Sequence, residues 1–289
     1  MMERYYSFAG LEIAVSMPED LMYENDYRLE PFRVEAVERP HVFRFRKVDA
    51  LTPPEGACLR VQPDFRVYRQ GTETVRYIGA VSQAWEPAYI RAAHRGREHE
   101  VQLRADIYPG RASCKTVLEV LAAEHLTVQN GGVIFHCSFI DRKGKAVLFT
   151  APSQTGKSTQ ADLWHQYRAA DIINGDRAAI RVEADRILAE GIPFSGSSIH
   201  CKNRSLPIEA IVYLAQAPQT TIRKMRGYEA FARLWEGVSV NTWDRQDLEL
   251  ASGTVQRIAE TVPVFYMPCT PDEAAVAALE QVLNKQVNL

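Results

Sequence analysis

The sequence predicts an α+β fold, and three observations support this. Short segments of alternating apolar and polar residues, separated by turn sequences, run from residue 5 to about residue 107. This period of two is typical of antiparallel strands and hairpins. From Ser113 the apolar spacing changes to three and four, which predicts a helix. Between residues 146 and 168 an apolar strand, a glycine-containing loop and a helical segment follow each other.

Composition and charge narrow the functional class. The 289 residues are 46% hydrophobic and 24% charged, with 34 Lys and Arg against 36 Asp and Glu, a formal charge of −2. A near-neutral balance disfavours nucleic acid or an anionic lipid surface as the main partner. There is no run of 18 apolar residues, and the five cysteines are widely spaced without a CxxC pair. We therefore expect a soluble, cytoplasmic protein without membrane segments or a disulfide framework.

Each half has its own pattern of elements, and the composition shift between them places a boundary at residue 110. Residues 1–110 form the β-rich N-terminal region. Residues 111–289 begin with a predicted helix, KTVLEVLAAEHLTVQ, which the stop Asn130-Gly131-Gly132 ends. The apolar runs VIFHCSFI and AVLFT surround the turn DRKGK, so they predict a hairpin of buried strands.

Beyond this hairpin, strands and helices alternate. The segments DIIN, AAIRV, IVYL and PVFYMP predict strands, and helical spacing returns near residues 227–240 and 252–262. The sequence Thr270-Pro271-Asp272-Glu273 is a typical start for the closing helix.

The segment APSQTGKST, residues 151–159, matches most of the P-loop pattern GxxxxGK[ST] between a strand and a helix. In that context loop amides and the helix N-terminus surround a polyphosphate. Gly156 allows close backbone approach, Lys157 reaches the β and γ oxygens, and the Ser158 hydroxyl can bind Mg²⁺. The alternative is a chance match in a loop. The predicted nucleotide-binding residues are Ser153, Gln154, Thr155, Gly156, Lys157, Ser158 and Thr159.

A candidate carboxylate lies about twenty residues further on, in Asn174-Gly175-Asp176-Arg177 after an apolar pair. At the end of a strand beside the loop, Asp176 could hold Mg²⁺ or accept a proton from an attacking hydroxyl. The alternative for NGD is a hairpin turn. His136, which precedes the predicted hairpin, is either a site residue or a core histidine.

Residues from about 136 to 208 resemble the catalytic domain of HPr kinase/phosphorylase and, more loosely, ATP-dependent phosphoenolpyruvate carboxykinase. His136, the loop, Gly175-Asp176-Arg177 and Arg204 occupy in order the places of that family's histidine, P-loop, Asp-Asp-Arg and distal arginine. The segments IHCKNRSLPIEAIVYLAQA and YYSFAGLEI look closer still to HPr-kinase-like kinases of lasso-peptide precursors. The resemblance implies a mixed, strongly bent β core that carries the P-loop.

The sequence departs from the family pattern at three positions. Ala151 and Gln154 stand where the family usually has glycine, and Gly175 replaces the first aspartate. We expect Ala151 and Gln154 to adopt backbone conformations that are open to L-residues. Asp176 alone would then both bind metal and activate the hydroxyl, unless the substrate or His136 contributes. Arg204 either faces the phosphate or is a surface arginine.

These observations favour an ATP- and Mg²⁺-dependent kinase that phosphorylates a hydroxyl, and the resemblance implies a serine of a peptide or protein. The proposed catalytic residues are Asp176, His136 and Arg204, and the proposed metal ligands are Ser158 and Asp176. The alternatives are a small-molecule phosphotransferase or carboxykinase-type enzyme, and a nucleotide-binding module without transfer activity. A homo-oligomer is left open.

Overall fold

A computed structural model describes residues 1–286 of the chain. The chain divides into two compact units, Met1–Ala122 and a second unit that begins at Ala123. The division lies twelve residues after the boundary expected from composition. No helix within residues 1–286 combines the length and the apolar character needed to cross a bilayer.

The first unit is built around one sheet. Within residues 1–122 the strands are β1 Met2–Phe8, β2 Leu11–Met17, β3 Arg33–Val34, β4 His41–Val48, β5 Ala57–Val61, β6 Phe65–Gln70, β7 Glu73–Gly79, β8 Ala88–Arg95 and β9 Glu98–Arg104. Their order is β3-β1-β2-β4-β9-β8-β7-β6-β5. Most pairs are antiparallel, as the alternating pattern predicts, but β4 is parallel to both β2 and β9. A 3-10 helix, Glu30–Phe32, and helix α1, Cys114–Val120, complete the unit.

The helix predicted from residue 115 to residue 129 is two helices. It breaks at Ala122, whose φ of +50° is left-handed, between α1 and α2, Ala123–Gln129. Helix α1 belongs to the first unit because the Cys114 thiol donates to the Glu24 carbonyl at 3.2 Å and accepts from the Asp26 N–H at 3.3 Å. Propensity alone does not reveal such a break, since an alanine adopts the left-handed region only under tertiary constraint.

The second unit is a mixed β structure covered by helices. Its strands are β10 Gly132–His136, β11 Ser138–Arg142, β12 Lys145–Thr150, β13 Asp171–Asn174, β14 Arg177–Val182, β15 Ile187–Glu190, β16 Ser205–Gln216, β17 Arg223–Met225, β18 Val238–Ser239 and β19 Val264–Cys269. Its further helices are α3 Lys157–Arg168, α4 Gly227–Trp235, α5 Arg245–Thr261 and α6 Glu273–Gln286. These mixed sheets with helices confirm the predicted α+β class.

The long strand β16 joins the two parts of this β structure. Its first residues pair antiparallel with β15, and from Ile208 onward it runs parallel to β12. Its last six residues are also parallel to β19. The predicted hairpin is present as β11 and β12, which turn at Lys143 and Gly144, both with positive φ. The run VIFHCSFI contains two strands rather than one, because β10 leaves the hairpin to pair with β14.

Strand β12 is buried on both faces, which explains its uninterrupted apolar sequence. Val147 and Phe149 pack in a core cluster with α3 and α6. Ala146 and Leu148 point to the opposite face, into a cluster with α4 and α5. A strand held in this way fixes the position of the loop that follows it.

A buried carboxylate ties α2 to the start of α5. Asp247 is fully buried, and its oxygens accept hydrogen bonds from Gln129 and Asn241, each at 3.0 Å, and lie 2.9 Å from His125 Nδ1. Burial raises the pKa of Asp247, but the contacts with His125, Gln129 and Asn241 lower it, and the net pKa lies below its ordinary value. The folded state therefore favours the ionised form.

We expect this carboxylate to make stability depend on acid pH. Because its pKa is lower in the folded state, its contribution is complete above the unfolded value of about 3.9 and is lost as pH falls further. Asp247→Asn should lower the free energy of unfolding at pH 7 by about 1–3 kcal/mol, since its amide would face other donors. It should also flatten the decline between pH 4 and pH 2. Urea titrations at each pH measure both effects. Asp185→Asn, at an exposed site, is the control. If Asp247→Asn leaves the slope of unfolding free energy against pH unchanged between pH 4 and pH 2, the assignment is wrong.

Candidate functional site

The predicted strand, loop and helix are present in the structure. Strand β12 ends at Thr150, residues 151–156 form the loop, and α3 begins at Lys157. Gly156 precedes the helix with φ +117°, a conformation that L-residues rarely adopt. No side chain caps the N-terminus of α3. The first-turn N–H groups are therefore available to an anion, which the helix dipole also favours.

Lys157 folds back under this loop. The residue is only 8% exposed, and its Nζ donates to the carbonyls of Ala151 at 3.1 Å and Pro152 at 3.3 Å. Burial lowers the pKa of Lys157, and the nearby Asp176 carboxylate raises it. Ser158, the residue after Lys157, borders the same cavity as Asp176, so the predicted lysine and the predicted carboxylate lie in one region of the fold.

Asp176 lies in a tightly held turn between β13 and β14. The Asn174 side chain accepts from the N–H groups of Asp176 at 2.9 Å and Arg177 at 3.0 Å, a local pattern typical of asparagine in turns. The Cys137 N–H donates to the Asp176 carbonyl at 3.0 Å. Cys137 links β10 to β11, and the next residue, Ser138, pairs with Phe149 near the end of β12, so this bond fixes the turn close to the loop.

His136 and Arg177 flank the Asp176 carboxylate. His136 Nε2 lies 3.4 Å from Oδ1, and Arg177 Nε donates to Oδ2 at 3.1 Å. The contact with His136 and the charge of Arg177 hold the pKa of Asp176 below its ordinary value, although burial opposes this. Asp176 is therefore ionised at neutral pH. A base with such a low pKa is weak, so the carboxylate suits charge stabilisation and metal binding better than proton abstraction.

A cavity of about 340 Å³ opens beside this carboxylate. Its lining includes Asp176, the predicted metal ligand Ser158, and Asp162 one turn later on α3. Asp162 was not among the predicted site residues, although its spacing of four from Ser158 on a predicted helix places both on one face. A second carboxylate therefore reaches the cavity from the helix.

A second cavity, of about 420 Å³, lies on another side of the loop. Gln154, Thr155 and Thr159 line it, together with residues that follow β16 and β19. It lies at the carboxyl ends of the parallel strands β12, β16 and β19, where open α/β sheets commonly bind ligands. Ser153 is an exposed loop residue.

Arg204 is not brought to the loop. Its Nη2 lies 2.8 Å from an oxygen of Asp141. Asp141 pairs with Ala146 in the hairpin register, at the opposite end of β12 from Thr150. In this structure the arginine beside Asp176 is Arg177, and Arg204 lies near the end of β12 that is far from the loop.

Gln154 differs from the expectation for the loop. Its φ is +63°, in the left-handed region, whereas Ala151 is not among the positive-φ residues. The expectation that both adopt conformations open to L-residues is therefore wrong for Gln154. At Gly175 an added Cβ would lie 2.7 Å from the Ser198 Cβ, so a larger residue there would require Ser198 to move.

Gln154→Gly is expected to stabilise the folded chain by about 0.5–1 kcal/mol, because glycine removes the left-handed strain at a moderate entropic cost. Ala151→Gly is the matched control at the other departing position and should destabilise by about 0.5–1 kcal/mol. Urea denaturation measures both. A destabilised Gln154→Gly variant would contradict the backbone assignment.

The described residues do not contain a complete metal cage. Within residues 1–286 no group of three or more His, Cys, Asp or Glu side chains is arranged to hold a metal ion. Mg²⁺ in phosphate-transfer sites is usually held by one or two carboxylates together with substrate phosphates. Ser158, Asp176 and Asp162 fit that smaller set of ligands.

Comparison with solved structures gives a distant likeness to a kinase. No family model matches the sequence, and no curated protein matches it. Among solved structures, the HPr(Ser) kinase/phosphatase from Coxiella burnetii aligns with a TM-score of 0.33 and 12% sequence identity. The alignment covers 54% of this chain and 97% of that chain.

Proposed function

We propose that the chain is an ATP- and Mg²⁺-dependent kinase that transfers the γ-phosphate to a hydroxyl, most simply a serine of a peptide or protein. The observation that carries this proposal is the arrangement of Lys157 and Asp176. Lys157 begins helix α3 directly after Gly156, and Asp176 borders the same cavity as Ser158, the next residue of that helix. One supplies a positive charge for a polyphosphate, and the other supplies a negative charge for a metal and an acceptor.

In this proposal the loop and the start of α3 hold the phosphates. The uncapped N–H groups of the first turn bind phosphate oxygens, and Lys157 exchanges the carbonyls of Ala151 and Pro152 for the β and γ oxygens. The cavity of about 420 Å³ beside Thr155 and Thr159 has room for the nucleoside.

Ser158 and Asp176 would hold Mg²⁺, with Asp162 able to contribute from the same cavity. When bound, the ion neutralises charge on the β and γ phosphates. Asp176 would orient the acceptor hydroxyl by accepting its hydrogen bond. His136 and Arg177 keep this carboxylate ionised and fixed in place. Phosphoryl transfer is promoted mainly by positioning and charge stabilisation, so a weak base suffices.

The choice of a peptide or protein serine follows from the sequence resemblance to HPr-kinase-like kinases. The geometry contributes a weaker argument: the cavity beside Asp176 is open and bordered by an exposed chain segment. A serine hydroxyl on a flexible peptide could enter this open cavity while the rest of the peptide stays in solvent.

Two measurements test the proposal. Isothermal titration with ATP, with and without Mg²⁺, should show binding that Mg²⁺ strengthens. ADP release should then rise when a library of single-serine peptides is added, and a matched library with alanine for serine should not raise it. ATP binding without serine-dependent ADP release would favour a nucleotide-binding module, and absence of ATP binding would overturn the nucleotide site.

A further inference from the structure

The segment 193–200 crosses the turn that carries Asp176. Gly196, with φ +56°, lies against the Asp176 side chain. A Cβ added at Gly196 would be 2.8 Å from the Asp176 Cγ and 2.9 Å from its Oδ2. Only glycine permits this approach without displacing the carboxylate. The main chain of the segment is therefore held directly against the carboxylate of the candidate site.

Two serines follow Gly196, and their environments differ. Ser198 Oγ accepts from the His200 N–H at 3.1 Å, and the side chain packs against Gly175. The Ser198 N–H donates to the Ser195 carbonyl at 2.9 Å, which makes Gly196 and Ser197 the centre of a tight turn. Ser197 is exposed, and within residues 1–286 no hydrogen bond holds its hydroxyl.

Ser197 also lines the cavity of about 340 Å³ that contains Ser158 and Asp176. A free hydroxyl, a candidate metal ligand and an ionised carboxylate thus border one space. Gly196 is held against Asp176, so the Ser197 hydroxyl is attached one residue from the point where this segment meets the carboxylate. Pre-positioning of this kind favours reaction within one chain over reaction between molecules.

We propose that Ser197 is a phosphate acceptor of the chain itself, an inference that rests on the proposed kinase function. The Ser197 Oγ would form a bond to the γ-phosphorus of ATP while the bond from that phosphorus to the β–γ bridging oxygen breaks. Asp176 would accept a hydrogen bond from the hydroxyl, the hydroxyl proton would be released to solvent as the phosphorus–oxygen bond forms, and the products would be phosphoserine and ADP. Ser198 is the poorer acceptor because its Oγ is bonded to His200 and packed against Gly175.

The full-length chain, incubated with ATP and Mg²⁺ and digested with trypsin, gives a direct test. Cleavage after Arg186 and Lys202 releases residues 187–202 as one peptide, which contains Ser195, Ser197 and Ser198. Mass spectrometry should locate one phosphate on Ser197 in the parent chain and in Ser198→Ala, and none in Ser197→Ala or Lys157→Ala. The first-order rate constant should not change with protein concentration.

The proposal is overturned by phosphate on Ser195 or Ser198 instead, by a peptide that is still phosphorylated in Ser197→Ala, or by a rate constant that rises with protein concentration. An ATP titration and an ADP-release assay of the parent chain show whether the Ser197 inference alone fails or the proposed kinase function fails with it. ATP binding and turnover without phosphate on Ser197 overturn this inference alone. Absence of ATP binding overturns the proposed function as well.

Discussion

Replacing Lys157 by alanine is expected to abolish phosphate transfer and to weaken ATP binding. Lys157 is the basic side chain that folds under the loop, with its Nζ bonded to the Ala151 and Pro152 carbonyls. A charge-assisted contact to phosphate contributes about 1.5–3 kcal/mol, so ATP affinity should fall by about tenfold or more. Turnover should fall by at least about 100-fold, because the same charge stabilises the transferring phosphoryl group.

Two further variants separate a role in phosphate binding from a role in packing. Lys157→Met keeps most of the buried stem and should lose transfer to the same extent as alanine, with a smaller loss of folding stability. Lys145→Ala removes an exposed lysine at the other end of β12 and should change neither ATP binding nor turnover. ATP titration measures nucleotide binding, ADP release measures turnover, and urea denaturation measures folding stability. Substantial transfer by Lys157→Met would overturn the site assignment.

The elements that the sequence predicted best are those in which local chemistry and burial agree. The uninterrupted apolar run of β12, the glycine before Lys157 and the helical spacing of α3 all specify one strand, loop and helix. The turn at Asp176 was also predictable, because Asn174 stabilises it through its own side chain. Such features depend on residues that are near each other in the chain.

The features that the sequence did not reveal depend on distant contacts. The helix break at Ala122 and the left-handed Gln154 are conformations imposed on residues with no intrinsic preference for them. Arg204 has the expected position along the chain, but in the fold it forms an ion pair with Asp141, which the hairpin register places opposite Ala146 and far from the loop. Segment 193–200 is distant from Asp176 in sequence and comes next to it only in the folded chain. From the sequence alone, its glycine and serines therefore indicate no more than an ordinary turn.

Asp176→Asn is expected to lower turnover by about 100-fold or more while part of the nucleotide binding survives. The amide keeps the shape of the side chain but loses the charge that His136 and Arg177 stabilise. It also removes one of the two proposed metal ligands. The Mg²⁺ concentration that gives half-maximal ADP release should therefore rise, a change that a purely structural role would not produce.

The same substitution at Asp171 provides the matched control. Asp171 begins β13, the strand that ends just before Asp176, and it is paired with Lys202 instead of the loop residues. Asp171→Asn should change neither the turnover nor the Mg²⁺ requirement, because a partly exposed ion pair contributes little to stability and lies outside the site. If Asp176→Asn behaves like Asp171→Asn in both assays, Asp176 is a turn residue. Asp162, the other carboxylate in the same cavity, then becomes the candidate metal ligand, and Asp162→Asn should produce the losses predicted for Asp176.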